Sequence, residues 1–433
     1  MLTRSPWRST TRLAAVAAVG IALTSCSSGG TTPAADGGKT AAANEKVTLT
    51  LATFNEFGYE DLVKEYMAAH PNITIQMKKA ATSNEARENM NTRLAAGSGL
   101  SDIEAVEVDW LPELLQYPDK FVDLKSDSVK GRWLPWKEAQ ATTADGKLIG
   151  YGTDVGPEAI CYRSDLFAAA GLPTDRAAVA QLLGTTWDSY FAAGRQFQAK
   201  SKVPWTESSG ALYQAMVNQV KNAYEKDDGT VIATENPEVR AMYDTVLKAS
   251  ADGLTAHLAQ WSDDWTGSFQ RDGFATMVCP GWMLGVIEGN AAKVKGWDIA
   301  DTFPGGGGNW GGSFLTVPAQ GAHTADAKAL ADWLTAPEQQ IKAFKSKGTF
   351  PSQVAALSSP DLLGVKNAFF NNAPTGEILA NRAKAVTVVP FKGPKYSGIN
   401  DAIQQAISRV DIDKTDTPAA SWDKFVTAVK ALG

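Results

Sequence analysis

The sequence predicts an α/β protein of two lobes, each built on a mainly parallel sheet flanked by helices. Three observations carry that expectation. At 433 residues the chain has the length of two or three domains of about 100 to 200 residues each, and each can bury a core without cross-links. An apolar share of 44% beside 20% charged residues is that of a globular protein, which sets aside wholesale disorder. Beyond residue 46, strand-like and helix-like patterns alternate at the spacing of βαβ units.

The first 46 residues precede that pattern and read as an address and a tether. Arg4, Arg8 and Arg12 lead into an apolar run over residues 13–23 (LAAVAAVGIAL), followed by Thr24, Ser25 and Cys26. The run is too short for a bilayer, which needs roughly 18 to 20 residues, but it fits the apolar centre of a signal peptide. Residues 23–26 (LTSC) look like a bacterial lipobox, with cleavage before Cys26 and a lipid on its thiol. A plain secretory signal with an incidental Cys is the alternative. Removing residues 1–25 takes away three Arg and no acid, which moves the net charge from -6 to about -9. Residues 26–46 hold no Val, Ile, Leu, Met or aromatic side chain, so they form a flexible linker that reaches about 25 Å and holds the folded part near a membrane. No later stretch is apolar for long enough to span one.

The elements of the first lobe follow in order. Residues 47–53 alternate β-branched and apolar types as a strand does. Leu62, Val63, Tyr66 and Met67 share one face of a helix that Pro71 ends. Residues 72–78 (NITIQMK) form a second strand, 84–96 a helix and 102–108 a third strand. Helices are also expected over 187–200 and over 237–251, the latter with Asn236 as N-cap and Pro237 in the first turn. Thr335 and Glu338 have the spacing of a capping box before a further helix. A strand is read over 313–318.

Ligands of parallel sheets sit beyond the carboxyl ends of the strands. That rule selects Asn55, Glu56 and Phe57 after the first strand, and Asp109 and Trp110 after the third. Each group sets a carboxylate beside an aromatic ring, which suits a sugar: hydrogen bonds around its edge and a flat ring under its C–H face. The alternative is that Phe54, Phe57 and Trp110 only cover the sheet edge.

Other chemistries find little support. A net charge of -6 without a basic cluster argues against nucleic acid. Residues 306–311 (GGGNWG) satisfy GxGxxG but lead into a strand and not a helix, so no pyrophosphate site forms. No P-loop motif occurs, Ser313 lacks the last Gly of a nucleophile elbow, and His70, His257 and His323 are not spaced as metal ligands. Asp411 and Asp413 open like a calcium loop, but Asp416 and Trp422 stand where Gly and Glu are needed. No metal or cofactor is expected. Of enzyme classes, a glycosidase using two carboxylates stays open. Cys161 and Cys279, both in short apolar segments of one lobe and both outside the cell, are expected to pair. Two buried thiols are the alternative.

Several strings resemble the extracellular solute-binding proteins (family 1) of carbohydrate ABC importers. They are residues 60–75 (EDLVKEYMAAHPNITI), 162–167 (YRSDLF) with 170–173 (AGLP), and 274–282 (FATMVCPGW). Arg163 and Ser164 depart from the usual Asn-Lys, and Pro280-Gly281 reverses the usual order. Residues 152–157, 161–163, 279–285 and 308–314 resemble, more narrowly, actinobacterial lipoproteins that bind cellobiose and related β-glucosides. The likeness runs over about residues 47–430.

This resemblance implies a periplasmic-binding-protein-like fold of two hinged lobes, 47–153 with 304–349 and 154–303 with 350–433. Three crossings near 152–156, 303–307 and 348–352 join the lobes, which close over a ligand. The glycines at 305–308 serve either a hinge or a tight static loop. The ligand implied is an oligosaccharide, and the partners are two transmembrane permease subunits with a cytoplasmic ATPase. A monomer is expected, anchored at the outer face of the cytoplasmic membrane and performing no chemistry. Trp282 is the first stacking ring, with Trp261, Trp265 and Trp310 near it. Asp109, Asp154, Glu158 and Asp264 are candidate acceptors, and Ser208, Ser209 and Tyr213 further contacts. Of the 13 Trp, Trp7 falls in the signal peptide, and Trp110, Trp261, Trp265, Trp282 and Trp310 are assigned to the cleft.

Overall fold

The structure is a computed structural model that describes residues 45–433. The expected signal peptide, the lipid site at Cys26 and the linker as far as Asn44 lie outside the described residues. In chain order the strands are β1 (Val47–Phe54), β2 (Ile73–Ala80), β3 (Ile103–Glu107), β4 (Gly150–Gly152), β5 (Asp154–Val155), β6 (Glu158–Arg163), β7 (Thr276–Pro280), β8 (Trp297–Ala300), β9 (Ser313–Thr316) and β10 (Phe350–Pro351).

Val47, Leu49 and Leu51 are buried along β1 while Thr48 is exposed, the alternation expected of a strand with one face in a core. β1 runs parallel to β2 and β3, and the first-lobe sheet has the order β2-β1-β3-β9-β4 with β9 antiparallel to both neighbours. The helix Glu60–Ala69 buries Leu62, Val63 and Tyr66 against this sheet. The helix Ser83–Ala96 starts one residue before its expected position, because the Thr82 side chain accepts from Glu85 N and Gly97 closes the other end at φ 66°.

The second lobe departs from the expected mainly parallel sheet. Its strand order is β7-β6-β8, and both pairings are antiparallel. All six β6 residues are buried. A strand buried on both faces shows no alternation, and side-chain period is the same in either direction. Long connections set the direction, and the local pattern does not record it. Cys161 on β6 and Cys279 on β7 form a disulfide with Cα atoms 5.4 Å apart, as expected. Closing a loop of this length stabilises a fold by about 4 to 5 kcal/mol in the chain-entropy model.

Asn236 caps the helix Pro237–Ala251 as expected, accepting from Glu238 N. The capping box at Thr335 does not form. The helix Pro337–Lys347 starts after Ala336, and the Thr335 hydroxyl donates back to Ala331 O at 2.8 Å, because Thr335 closes the preceding helix, Thr324–Leu334. The helices Tyr396–Asp411 and Pro418–Ala431 pack into the second-lobe core with Tyr190, Trp205 and Tyr213.

Backbone segments at and beside the residues expected to cross pair with one another. β5 pairs with β10 through Val155 and Phe350, Trp310 N donates to Gly156 O, and Thr153 N donates to Ser313 O. The glycines at 305–308 are a packed loop. Gln219 Nε2 donates to Pro304 O and Gly307 O at 2.7 and 3.1 Å, and a Cβ on Gly307 would stand 2.2 Å from Ala385 O. Of the two readings of this run, these contacts fit the tight loop. Among the described residues no helix is long and apolar enough to cross a membrane.

Candidate functional site

A cavity of about 350 Å³ opens between the lobes at the carboxyl ends of β1 and β3, where the strand-end rule places a ligand. Its second-lobe side is aromatic. Trp282 follows β7 by way of Gly281, and its Nε1–H donates to Trp310 O at 2.9 Å, which fixes the ring. Trp261 lies nearly parallel to it, at 6.1 Å between centroids and 25° between planes, while Trp310 meets it edge-on at 5.7 Å. Trp261 is 38% exposed and adopts φ +73°, a conformation costly for a bulky residue and one that clusters at ligand sites. Gly156 makes the arrangement possible, since a Cβ there would stand 1.8 Å from Trp310 O and 3.0 Å from Trp282 Nε1.

The first-lobe side is polar. Glu56 is paired with Lys79 and Lys347. Burial raises its pKa, but the two lysines outweigh that and leave it below the usual value. Asp109 is paired with Lys392 of the second lobe, and its carbonyl accepts from the Ser397 hydroxyl at 2.8 Å. Asp154 accepts from Ser313 N and the Thr153 hydroxyl at 2.8 and 2.7 Å, so it ties β5 to the start of β9 beside the cavity. Glu107 behaves differently. Its Oε2 accepts from Asp109 N at 2.7 Å, while no protein donor reaches its Oε1 among the described residues. Desolvation, and then the charge of Asp109, push its pKa up to about 8 against the pull of Lys392 and Lys137. Behind it the Lys137 ammonium has no hydrogen-bond partner among the described residues and lies 3.6 Å from the Phe314 ring centroid. Desolvation depresses it to about 7, although Asp154 and Glu107 oppose that.

Of the candidates named from the sequence, Asn55, Glu56, Phe57, Asp109, Trp110, Asp154, Trp261, Trp282 and Trp310 line this cavity. Two of them contribute as packing. Trp110 is only 2% exposed and donates its indole N–H to Ser83 Oγ at 3.0 Å, so no full ring face is open for stacking. Phe57 is buried with its ring edge-on to Phe54.

The other six lie elsewhere. Ser208 and Ser209 are buried, the first accepting from Ala211 N at 3.3 Å as a helix cap and the second donating to Val246 O at 3.2 Å. Asp264 is exposed at the start of the helix Asp263–Ser268. Trp265 is buried, donates to Glu207 and backs Trp261 at 5.1 Å. Tyr213 is sealed in the second-lobe core, where its hydroxyl accepts from that of Tyr224 at 3.2 Å. Glu158 is wholly buried, its carboxyl has no hydrogen bond among the described residues, and desolvation raises its pKa well above the usual range.

Ser83, Arg87, Glu107, Gln260, Asn400 and Asp401 also line the cavity and are absent from the sequence reading. The strand-end rule, applied after β2 as it was after β1 and β3, leads to Ser83 and Arg87. Glu107 is the last residue of β3. Asn400 and Asp401 lie on a helix far down the chain and carry no local signal.

The family model of bacterial extracellular solute-binding proteins matches residues 61–368. A crystal structure of an extracellular solute-binding protein of family 1 is 52% identical, with a TM-score of 0.78 over 89% of this chain and 99% of that one. An ABC-transporter-associated binding protein from B. animalis subsp. lactis Bl-04, in complex with β-1,6-galactobiose, is 20% identical with a TM-score of 0.77 over 90% and 97% of the two chains. The galacto-N-biose/lacto-N-biose I-binding protein of Bifidobacterium longum, in complex with lacto-N-biose, is 18% identical with a TM-score of 0.71 over 91% and 96%. At those identities the last two show the two-lobed fold alone. No curated protein sequence matches.

Proposed function

This chain belongs to the family of bacterial extracellular solute-binding proteins, and from that premise we propose that it is the sugar-capturing subunit of a carbohydrate ABC importer. The observation that carries the reading is the pairing of two near-parallel indoles, Trp261 and Trp282, with a polar wall across one small cavity. Flat rings accept the C–H face of a pyranose while carboxyl and hydroxyl groups take its edge. The charges argue against an anionic ligand. Glu56, Asp109 and Asp401 are each paired with a Lys or Arg, so the wall offers no unbalanced cation to an anionic solute. Relatives of this fold are described with disaccharides bound.

Within that reading the ligand is a short oligosaccharide, with cellobiose or a related β-glucoside as the first candidate on the strings quoted above. The protein delivers it to two permease subunits served by a cytoplasmic ATPase. Cys26 carries the lipid that holds it at the outer face of the cytoplasmic membrane. Incubation with cellobiose tests the reading. Changed Trp fluorescence with the disaccharide intact supports it, while release of glucose would favour a glycosidase. A thermal-shift panel that includes peptides and phosphodiesters tests for a non-sugar solute.

A further inference from the structure

We propose that the ion pair Arg87–Asp401 is a stop at one end of the cavity and sets the length of the ligand. This inference rests on the sugar-binding reading and adds to it the residues that limit chain length. Arg87 stands on the first-lobe helix Ser83–Ala96 and Asp401 on the second-lobe helix Tyr396–Asp411. The Nη1–H of Arg87 donates to Asp401 Oδ2 across the cleft at 3.2 Å, and both residues line the cavity.

Arg87 is held from behind as well. Its Nε and Nη2 donate to the Glu113 carboxylate at 3.2 and 2.6 Å, a two-point grip that fixes the guanidinium plane. Asn91 Nδ2 donates to the same carboxylate at 3.3 Å. Beside this pair the lobes meet directly through Asp109 with Lys392 and with the Ser397 hydroxyl. On this side the wall is therefore protein against protein, and a sugar chain has no passage without parting Arg87 from Asp401.

The Asp401 side chain is itself 47% exposed, so solvent lies behind the pair and the pair is what closes this end. At the aromatic end Trp261, 38% exposed, reaches solvent beside Trp282. A cavity of about 350 Å³ is at the low end of ligand sites, which run from about 300 to 1,000 Å³. A ligand closed off at Arg87–Asp401 can extend only past Trp261, and the stop selects its short members.

The test is the affinity of the whole mature protein for cellobiose, cellotriose, cellotetraose and cellopentaose, measured by calorimetry. The quantity read is the ratio of the cellopentaose Kd to the cellobiose Kd. The wild type is expected to prefer cellobiose by about 30-fold or more. Arg87→Ala and Asp401→Ala should each bring the ratio below about fivefold, whatever happens to the absolute affinities. Asp244→Ala, which removes a surface pair with Arg240, should keep the wild-type ratio. A wild type that binds all four lengths alike, or folded Arg87 and Asp401 variants with the wild-type ratio, overturns the stop while the sugar reading stands. A wild type that binds none of the four overturns the stop together with the reading beneath it.

Discussion

The indole N–H of Trp282 donates to the carbonyl of Trp310 at 2.9 Å, and this bond ties a ring after β7 to the segment that returns the chain to β9. A stacking ring needs a fixed plane before a ligand arrives, since ordering it on binding would lower affinity. Here the plane is set by one backbone acceptor and by Trp261 alongside.

Replacing Trp282 by Ala removes the platform and is expected to weaken cellobiose binding by about tenfold or more, with the far-UV circular dichroism unchanged. Trp282→Phe keeps a ring but loses the bond to Trp310, and should fall between. Wild-type affinity in the Ala variant removes Trp282 from the site.

Gly156 tests the same geometry through the backbone. With Trp310 O only 1.8 Å from the place a Cβ would take, Gly156→Ala must displace one crossing. Overpacking of this kind costs about 1 to 3 kcal/mol. The expected outcome is a lower urea midpoint together with weaker ligand binding. A variant as stable as the wild type would show that the crossings can separate there freely.

The disulfide predicts no free thiol from Cys161 or Cys279 when the unreduced protein is unfolded. Reduction should lower stability by up to about 4 to 5 kcal/mol, read as a fall in the denaturant midpoint on adding dithiothreitol.

Glu207 gives a pH signature. It is fully buried, and desolvation raises its pKa to about 7 although Trp265 and Gln260 donate to it. A carboxyl with a raised folded pKa binds more protons folded than unfolded between about 4.5 and 7. Its contribution is therefore complete at low pH and lost as pH rises through that window. Glu207→Gln cannot titrate and keeps an acceptor for Trp265. The melting temperature of the wild type, relative to this variant, should decline from about pH 4.5 to 7 and level off above. Parallel curves would contradict the assignment.

Much of the first lobe was legible because its signals are local. The alternation of Val47, Leu49 and Leu51 acts within a few residues, as does the cap at Asn236 in the second lobe, whereas the cap at Thr82 went unread. The strand-end residues Asn55, Glu56 and Asp109 are local signals too. The antiparallel second sheet was not legible, because β6 is buried on both faces and its direction depends on connections more than 100 residues long. Ring depth was not legible either. Trp110 and Trp261 are the same residue type in loop-like settings, yet one is 2% and the other 38% exposed. Trp265 follows Trp261 by one helical turn but turns into the core, and Tyr213 sits on a helix that contributes no residue to the cavity. Arg87 and Asp401, separated by 314 positions, meet only when the lobes do.

Titration of the mature protein with cellobiose while following Trp fluorescence, with analysis of the sugar afterwards, separates capture from turnover. A sugar-capturing subunit should give a saturable fluorescence change with one site per chain, the disaccharide recovered whole, and the response much weakened in Trp282→Ala. No response to cellobiose or to any other disaccharide, or the appearance of glucose, would contradict that role.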